Sequence, residues 1–307
     1  MNARLVFIFT DSSTTESYKP LSFTFRKSSY LPYTQMKARA VIGTTELMSV
    51  SEVKLFVNDK LVHYGLIDTL SVSKVNGDSI VNVTSRSFTS LLCQNQIEPG
   101  MKTGVSINDL MDSFYDFPHV THENNSDTSS YIFVKNNSTM WDALVNLSYK
   151  LCGTYPYIRG TNCINITAVS SPTRFTFADS EITETGTELD LRNTASDFHM
   201  SDINGEFGSY ELTDTSIAAR SIVRHKFFEL DKQFLSDPQS ALVYRDKYRC
   251  RALRRRFIRY CGYRGEDLSD SVTFGSVVGR RIDSVEINGS DKGIFSKLSV
   301  YYDKFYL

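Results

Sequence analysis

The sequence is poor in most of the residues that mark specialised protein classes. Its 307 residues hold five cysteines, seven prolines, 16 glycines and one tryptophan, and 34 Lys plus Arg against 35 Asp plus Glu leave a formal net charge of -1. So few prolines and glycines, with no biased tract, exclude collagenous, low-complexity and disordered classes. Near-neutrality argues against a nucleic-acid coat or a polybasic membrane binder, so any electrostatic specialisation is local. Cys93, Cys152, Cys163, Cys250 and Cys261 form no C-x-x-C pair. Neither a zinc knuckle nor a disulfide framework is expected, and Cys152 and Cys163, which could face each other across a hairpin, are read as reduced thiols. The first hydrophobic run, Leu5-Val6-Phe7-Ile8-Phe9, stops at Thr10. A secretory segment needs about 7–15 apolar residues and a spanning helix about 20, so the run is read as a strand and no export or membrane anchoring is expected. No G-x-S-x-G elbow, Walker loop or G-x-G-x-x-G occurs, which removes the oxyanion- or phosphate-cradling parts of hydrolase and nucleotide-binding readings. The N-x-[ST] triplets at Asn82 and Asn165 are read as chance matches.

What is abundant is apolar and aromatic: 41% hydrophobic residues, with 20 Phe and 17 Tyr. These sit beside Val, Ile and Thr in short segments, a β-rich composition, and the length suggests two or three domains. Residues 1–95 read as strands and turns, with Leu21 to Phe25 alternating, Val53 to Val57 ending at Asn58-Asp59, and Ile80 to Thr84 following Asn76-Gly77. The period then changes. Ser106 caps a helix with Asp109 in its first turn and Ile107, Leu110, Met111 and Phe114 on one face, stopping before Pro118. After the strand Tyr131 to Val134, Thr139 and Asp142 form a capping box for a second helix with Met140, Leu144, Leu147 and Leu151 as its buried stripe and Gly153 at its C-terminus. A hairpin follows, Thr154 to Ile158 and Cys163 to Thr167. Residues 100–170 therefore read as a small α+β unit inserted into a β protein. Residues 171–236 return to strand-like pieces. A third helix starts near Pro238 with Ala241, Leu242, Cys250 and Leu253 near one face, whereas Phe257 to Cys261 suits either period. An internal echo links Gly65 to Asp68 with Asn76-Gly77, and Gly279 to Asp283 with Asn288-Gly289, each followed by an alternating strand; two copies of one small β domain would produce it.

Candidate chemistry is sparse. His119-Val120-Thr121-His122-Glu123 lacks metal-binding spacing and lies in a polar loop, and His63, His199 and His225 read as isolated surface or structural residues. Glu181, Glu184, Glu188 and Asp190 read as a solvated charged segment in preference to a glycosidase pair. The sharpest feature runs from Arg245 to Arg264: nine basic residues against Asp246 alone. Interface or intrachain pairing is preferred for it over phosphate contact with Tyr248, Phe257 and Tyr260 stacking on bases. The candidate interface or lumen residues are Arg249, Arg251, Arg254, Arg255, Arg256 and Arg259. No catalytic residue, metal or cofactor is expected.

The order of elements resembles the late control protein D family, the baseplate hubs of contractile phage tails and of type VI secretion spikes. The resemblance rests on Thr84-Ser85-Arg86-Ser87-Phe88-Thr89-Ser90-Leu91-Leu92, the helix after Ser106, Thr139 to Leu144 running to Gly153 and its hairpin, and Asp214-Thr215-Ser216-Ile217 before the third helix. It implies a mainly β fold with an α+β insert: a first tube-like β-barrel domain over 1–95, the insert over 96–185, and a second tube-like β-barrel over 186–307 with a long helix near 238–255. It also implies a structural homotrimer that adapts a sixfold tail tube to a threefold central spike and forms part of the DNA-ejection conduit. Partners would be tail tube, spike and tape-measure proteins, with DNA passing the lumen, and the location the tail baseplate of a virion assembled in the host cytoplasm. The length leaves no room for a fused lysozyme, peptidase or spike domain, so no enzymatic activity is expected. The tail-tip hub of a long flexible tail, a glycan-binding β module and a nucleic-acid binder are the alternatives.

Overall fold

The computed structural model describes residues 2–11, 14–43, 47–112, 116–230, 232–234 and 237–302. The first part supplies β1 (Ala3–Phe9), β2 (Thr15–Tyr18), β3 (Pro20–Ser28), β4 (Gln35–Ile42), β5 (Val50–Val57), β6 (Lys60–Val75) and β7 (Asp78–Ser87). Then come α1 (Leu91–Gln94), β8 (Gly100–Val105), α2 (Ile107–Asp112), β9 (Thr121–His122), β10 (Ser129–Val134), α3 (Met140–Cys152), β11 (Tyr157–Arg159) and β12 (Cys163–Asn165). The remainder holds β13 (Arg174–Thr176), β14 (Ile182–Leu189), β15 (Asp197–Met200), β16 (Tyr210–Thr213), α4 (Thr215–Ala218), β17 (His225–Phe228) and α5 (Pro238–Arg249). It closes with β18 (Arg254–Cys261), β19 (Ser271–Phe274), β20 (Val277–Arg281), β21 (Ser284–Ser290) and β22 (Gly293–Tyr301).

One 11-stranded antiparallel sheet dominates, in the order β14-β18-β22-β21-β3-β4-β7-β6-β5-β1-β2. Strands from the two ends of the chain meet inside it, β21 pairing with β3 through Val285↔Lys27 and Ile287↔Phe25. The alternation of β4, where Met36, Ala38, Ala40 and Ile42 are buried between exposed Lys37, Arg39 and Val41, shows how period two builds the sheet: one face is apolar and the other polar. Its apolar face is a single core joining Phe23, Phe25, Val81 and Val83 with Ile258, Val285, Ile287, Leu298 and Val300.

The α+β insert has its own core, in which Met140, Leu144 and Leu147 of α3 pack on Ile107, Leu110, Ile132 and Ile164. Its local signals are realised. Thr139 and Asp142 form the capping box, Gly153 closes α3 at φ 65°, and Ser106 exchanges hydrogen bonds with Asp109. Leu151 is only half-buried, and Phe114 lies outside the described residues. A third core was not foreseen: β16-β15-β17 form a small sheet, and Phe198 and Met200 pack against Ala241, Leu242 and Tyr244 of α5. The third helix is also shorter than expected, ending at Arg249 because Ala252 turns the backbone to φ 56° before β18 begins. Phe257 to Cys261 is strand.

The echo is realised unevenly. Asn76-Gly77 is the β6–β7 turn, with φ 51° and 93°, whereas Asn288-Gly289 lies inside β21 and the corresponding turn is Asp291-Lys292. Gly289 is needed for another reason: a Cβ there would lie 2.1 Å from the buried Phe23 ring. Gly289→Ala is expected to destabilise by about 1–3 kcal/mol, the cost of overpacking a filled core, read as a lower urea midpoint at unchanged slope. An unchanged midpoint would refute that packing. All five cysteines are free thiols.

Candidate functional site

The two charge features of the sequence are neighbours in space. Strands β14 and β18 pair so that Glu184 lies opposite Arg259, Gly186 opposite Phe257 and Glu188 opposite Arg255. Gly186 is small because a Cβ would stand 2.7 Å from the Phe257 ring, which fills the gap between the two flanking ion pairs. Cross-strand register carries the polar row onward: Arg259 faces Lys297, Lys297 faces Glu286, Glu286 faces Arg26, Arg26 faces Gln35, and Gln35 faces Arg86. Along it Arg259 pairs with Glu184 at 2.5 Å, Lys297 and Arg255 both reach Glu188, Arg26 lies 3.4 Å from Glu286, and Arg86 chelates Asp68 at 2.8 Å. Burial would raise the Glu188 carboxyl, but Lys297 and Arg255 outweigh it and hold it below the usual range. Exposed pairs contribute about 0–1 kcal/mol each, so the row adds little to the stability of the chain.

The six candidate arginines do not act as one patch. Arg255 and Arg259 join the row. Arg256 points to the other face and donates to Ser276 Oγ at 2.5 Å, and Arg254 lies 5.9 Å from the Tyr302 ring. Arg251 donates to the Tyr248 carbonyl at 2.7 Å and covers that ring at 3.8 Å. Among the described residues, Arg249 and Arg254 pair with no carboxylate. Arg249, Arg251 and Arg255 line one recess of about 350 Å³ with Arg26, Asp190, Tyr30 and Tyr301. The two tyrosine rings stack there at 5.9 Å, and the Asp190 carboxyl is held down to about 2 by hydrogen bonds from Arg192. With Arg26 and Arg255 paired to Glu286 and Glu188, and Asp190 paired to Arg192, it is Arg249 and Arg251 that make the recess cationic and suited to an anionic group.

Other candidates resolve differently. Phe257 and Tyr260 are buried and Tyr248 is covered by Arg251, so none offers a free face for a base. Glu184 is held by Arg259 and Asp190 by Arg192. His119 packs at a tilt against Tyr64 and Phe88, both at 4.7 Å, while His122 lies 3.7 Å from Asp112. Glu123 accepts from Asn165, from the Thr167 amide and from its hydroxyl, tying the insert's hairpin to β9. His63 is buried, but His199 and His225 are not isolated, since their ring nitrogens meet at 3.0 Å. The sequence reading missed Arg26, Glu286 and Lys297; the signal was the alternation of their strands, which places each opposite to its core residues.

No protein-family model matches the chain and no curated protein sequence matches it. Solved structures do, and they define the fold as that of phage tail proteins and of components of type VI secretion. A tail protein of Neisseria meningitidis MC58 superposes with TM-score 0.70 at 14% identity over 99% of this chain and 98% of its own. The 43 kDa tail protein of prophage MuSo2 from Shewanella oneidensis gives 0.66 at 13% over 97% of each chain. The E. coli c3393 protein, a type VI secretion component described as similar to the T4 tail proteins gp27 and gp5, gives 0.54 at 9% over 94% of this chain and 75% of its own.

Proposed function

We propose that this chain is a structural, non-enzymatic hub of a phage tail or tail-like injection machine, a homotrimer at the end of the tail tube that adapts sixfold tube to threefold spike. The observation that carries the reading is end-to-end likeness of fold to tail proteins, at least 97% of both chains in the first two. The wide sheet supports it, because one face is buried and the other presents an ordered row of charge from β14 to β7, a surface built for large, polar, register-specific contacts. Tube, spike and tape-measure proteins are the partners, the particle is assembled in the host cytoplasm, and DNA passes through the lumen during ejection. Arg249, Arg251, Arg254, Arg255, Arg256 and Arg259 contribute to interface or lumen, with the recess at Arg249 and Arg251 taking an acidic group of a partner.

Light scattering of the purified chain is expected to give a trimer, and images of assembled particles density for it on the tail axis. A monomer at every concentration together with an empty axis would sink the proposal. Arg249→Glu with Arg251→Glu is expected to leave the fold intact and to reduce incorporation into particles about 10-fold or more, the effect of like charge at a docking site.

A further inference from the structure

A second, chemically distinct feature lies on the small sheet. Parallel strands β15 and β17 set Asp197 opposite His225 and His199 opposite Phe227, so His199 and His225 are diagonal neighbours on one face. Nε2 of His199 stands 3.0 Å from Nδ1 of His225, with the rings 16° from parallel. Both outer nitrogens face carboxylates: Nδ1 of His199 is 3.1 Å from Glu211 of β16, and Nε2 of His225 is 3.9 Å from Asp197. The Asp197 carboxylate is itself fixed by the hydroxyls of Ser196 at 2.6 Å and Thr213 at 2.9 Å. Phe227 stacks on His199 at 4.6 Å, closing the open side of the ring.

A neutral imidazole has one N–H and one lone pair. The outer nitrogen of His199 donates to Glu211, so its inner nitrogen turns a lone pair toward Nδ1 of His225, and with the His225 proton moved to its exposed outer nitrogen the two rings can hold a cation in place of the hydrogen bond between them. Zinc–imidazole bonds of about 2.0–2.1 Å at a tetrahedral angle set ligand nitrogens about 3.3 Å apart, a few tenths of an ångström beyond the present separation. Metal-bound histidines almost always donate their other ring N–H to a carboxylate, a backbone carbonyl or water, and Glu211 is that partner for His199. Imidazole nitrogens select zinc, nickel and copper over calcium and magnesium, which take oxygen ligands.

We propose that His199 and His225 form a two-histidine site for a divalent transition metal, Zn(II), Ni(II) or Cu(II), with Glu211 orienting the His199 ring and water completing the coordination. The metal staples β15 to β17. The site stands apart from the arginine row and does not depend on the hub reading.

The full chain, freed of metal with a chelator and titrated calorimetrically with Ni(II), is expected to take up one equivalent. His225→Gln, at an exposed position that tolerates the change, is expected to abolish that uptake. Glu211→Gln weakens it about 10-fold or more by releasing the His199 ring. His119→Gln and His122→Gln leave it unchanged. With Cu(II), electron paramagnetic resonance is expected to show coupling to two nitrogens in the parent chain and fewer in His199→Gln. Uptake that persists undiminished in the His199→Gln/His225→Gln double variant, or a parent chain that binds no more Ni(II) than this variant, overturns the assignment. Matching circular dichroism spectra exclude misfolding as the cause of any loss.

Discussion

Asp267→Ala is expected to lower stability by about 3–5 kcal/mol, the usual cost of leaving a buried charge without its partner. The charge left behind is Lys27, 4% exposed, which sits among apolar residues of β3 because its register partner Val285 faces the core. Its ammonium donates to the Gly160 carbonyl at 2.7 Å and is paired with Asp267. Burial pushes the Lys27 amine below its ordinary range even though Asp267 opposes this. Asp267 also accepts the Gly160 amide at 2.7 Å, so the pair clamps the hairpin turn of the insert onto the main sheet, and Arg159 adds a 2.9 Å bond to Asp270 alongside. Urea unfolding reads the loss directly. The double variant Lys27→Met/Asp267→Leu is expected to recover a large part of it, because a matched apolar pair leaves no uncompensated charge. A single-variant loss below about 1 kcal/mol, or losses that simply add, would show that the pair is not a buried unit.

The second large effect is acid sensitivity centred on His63. This imidazole is fully buried, held at 2.8 Å by both Thr34 and Ser85, and burial depresses its pKa from 6.5 to about 3. The unfolded chain therefore binds the proton first as pH falls. Stability from this group is complete above about pH 6.5 and declines from there toward pH 3, at about 1.4 kcal/mol for each unit. At pH 4 the cost is about 3 kcal/mol relative to neutrality. His63→Gln keeps donor and acceptor without titrating, so its stability loss between pH 7 and pH 4 is expected to be smaller than that of the parent by this amount. Parallel pH profiles for parent and variant would remove His63 from the account.

Local features were legible in the sequence. The capping box at Thr139, the C-terminal Gly153 and the turns at Asn58-Asp59 and Asn76-Gly77 are decided within a few residues, and all appear where their chemistry places them. The mainly β fold with its α+β insert followed from the change of period near Ser106. What stayed hidden is non-local. Glu184 and Arg259 are 75 residues apart, and nothing in either segment says that β14 lies beside β18. The acidic and basic stretches therefore read as separate features when they form one row. The small sheet was invisible because its strands have four residues each, too few for alternation to register. Its histidines read as isolated for the same reason, since only the β15–β17 pairing brings them together. Asn288-Gly289 misled in the opposite sense: a pair that usually marks a turn here makes room for the Phe23 ring.

The β21–β3 seam also dictates an order of events. One edge of β3 pairs with the adjacent β4, but the other finds its partners among residues 284–289, so a growing chain displays that open edge until β21 has been made. Contacts of such long sequence separation close slowly, and an unpaired strand edge is prone to mispair in the interval. The α+β insert, whose buried core residues all lie between Leu92 and Ile166, can order first. Synthesis of β21 and β22 then becomes the step that commits the molecule, and the yield of folded chain is limited by sheet closure rather than by folding of any one part.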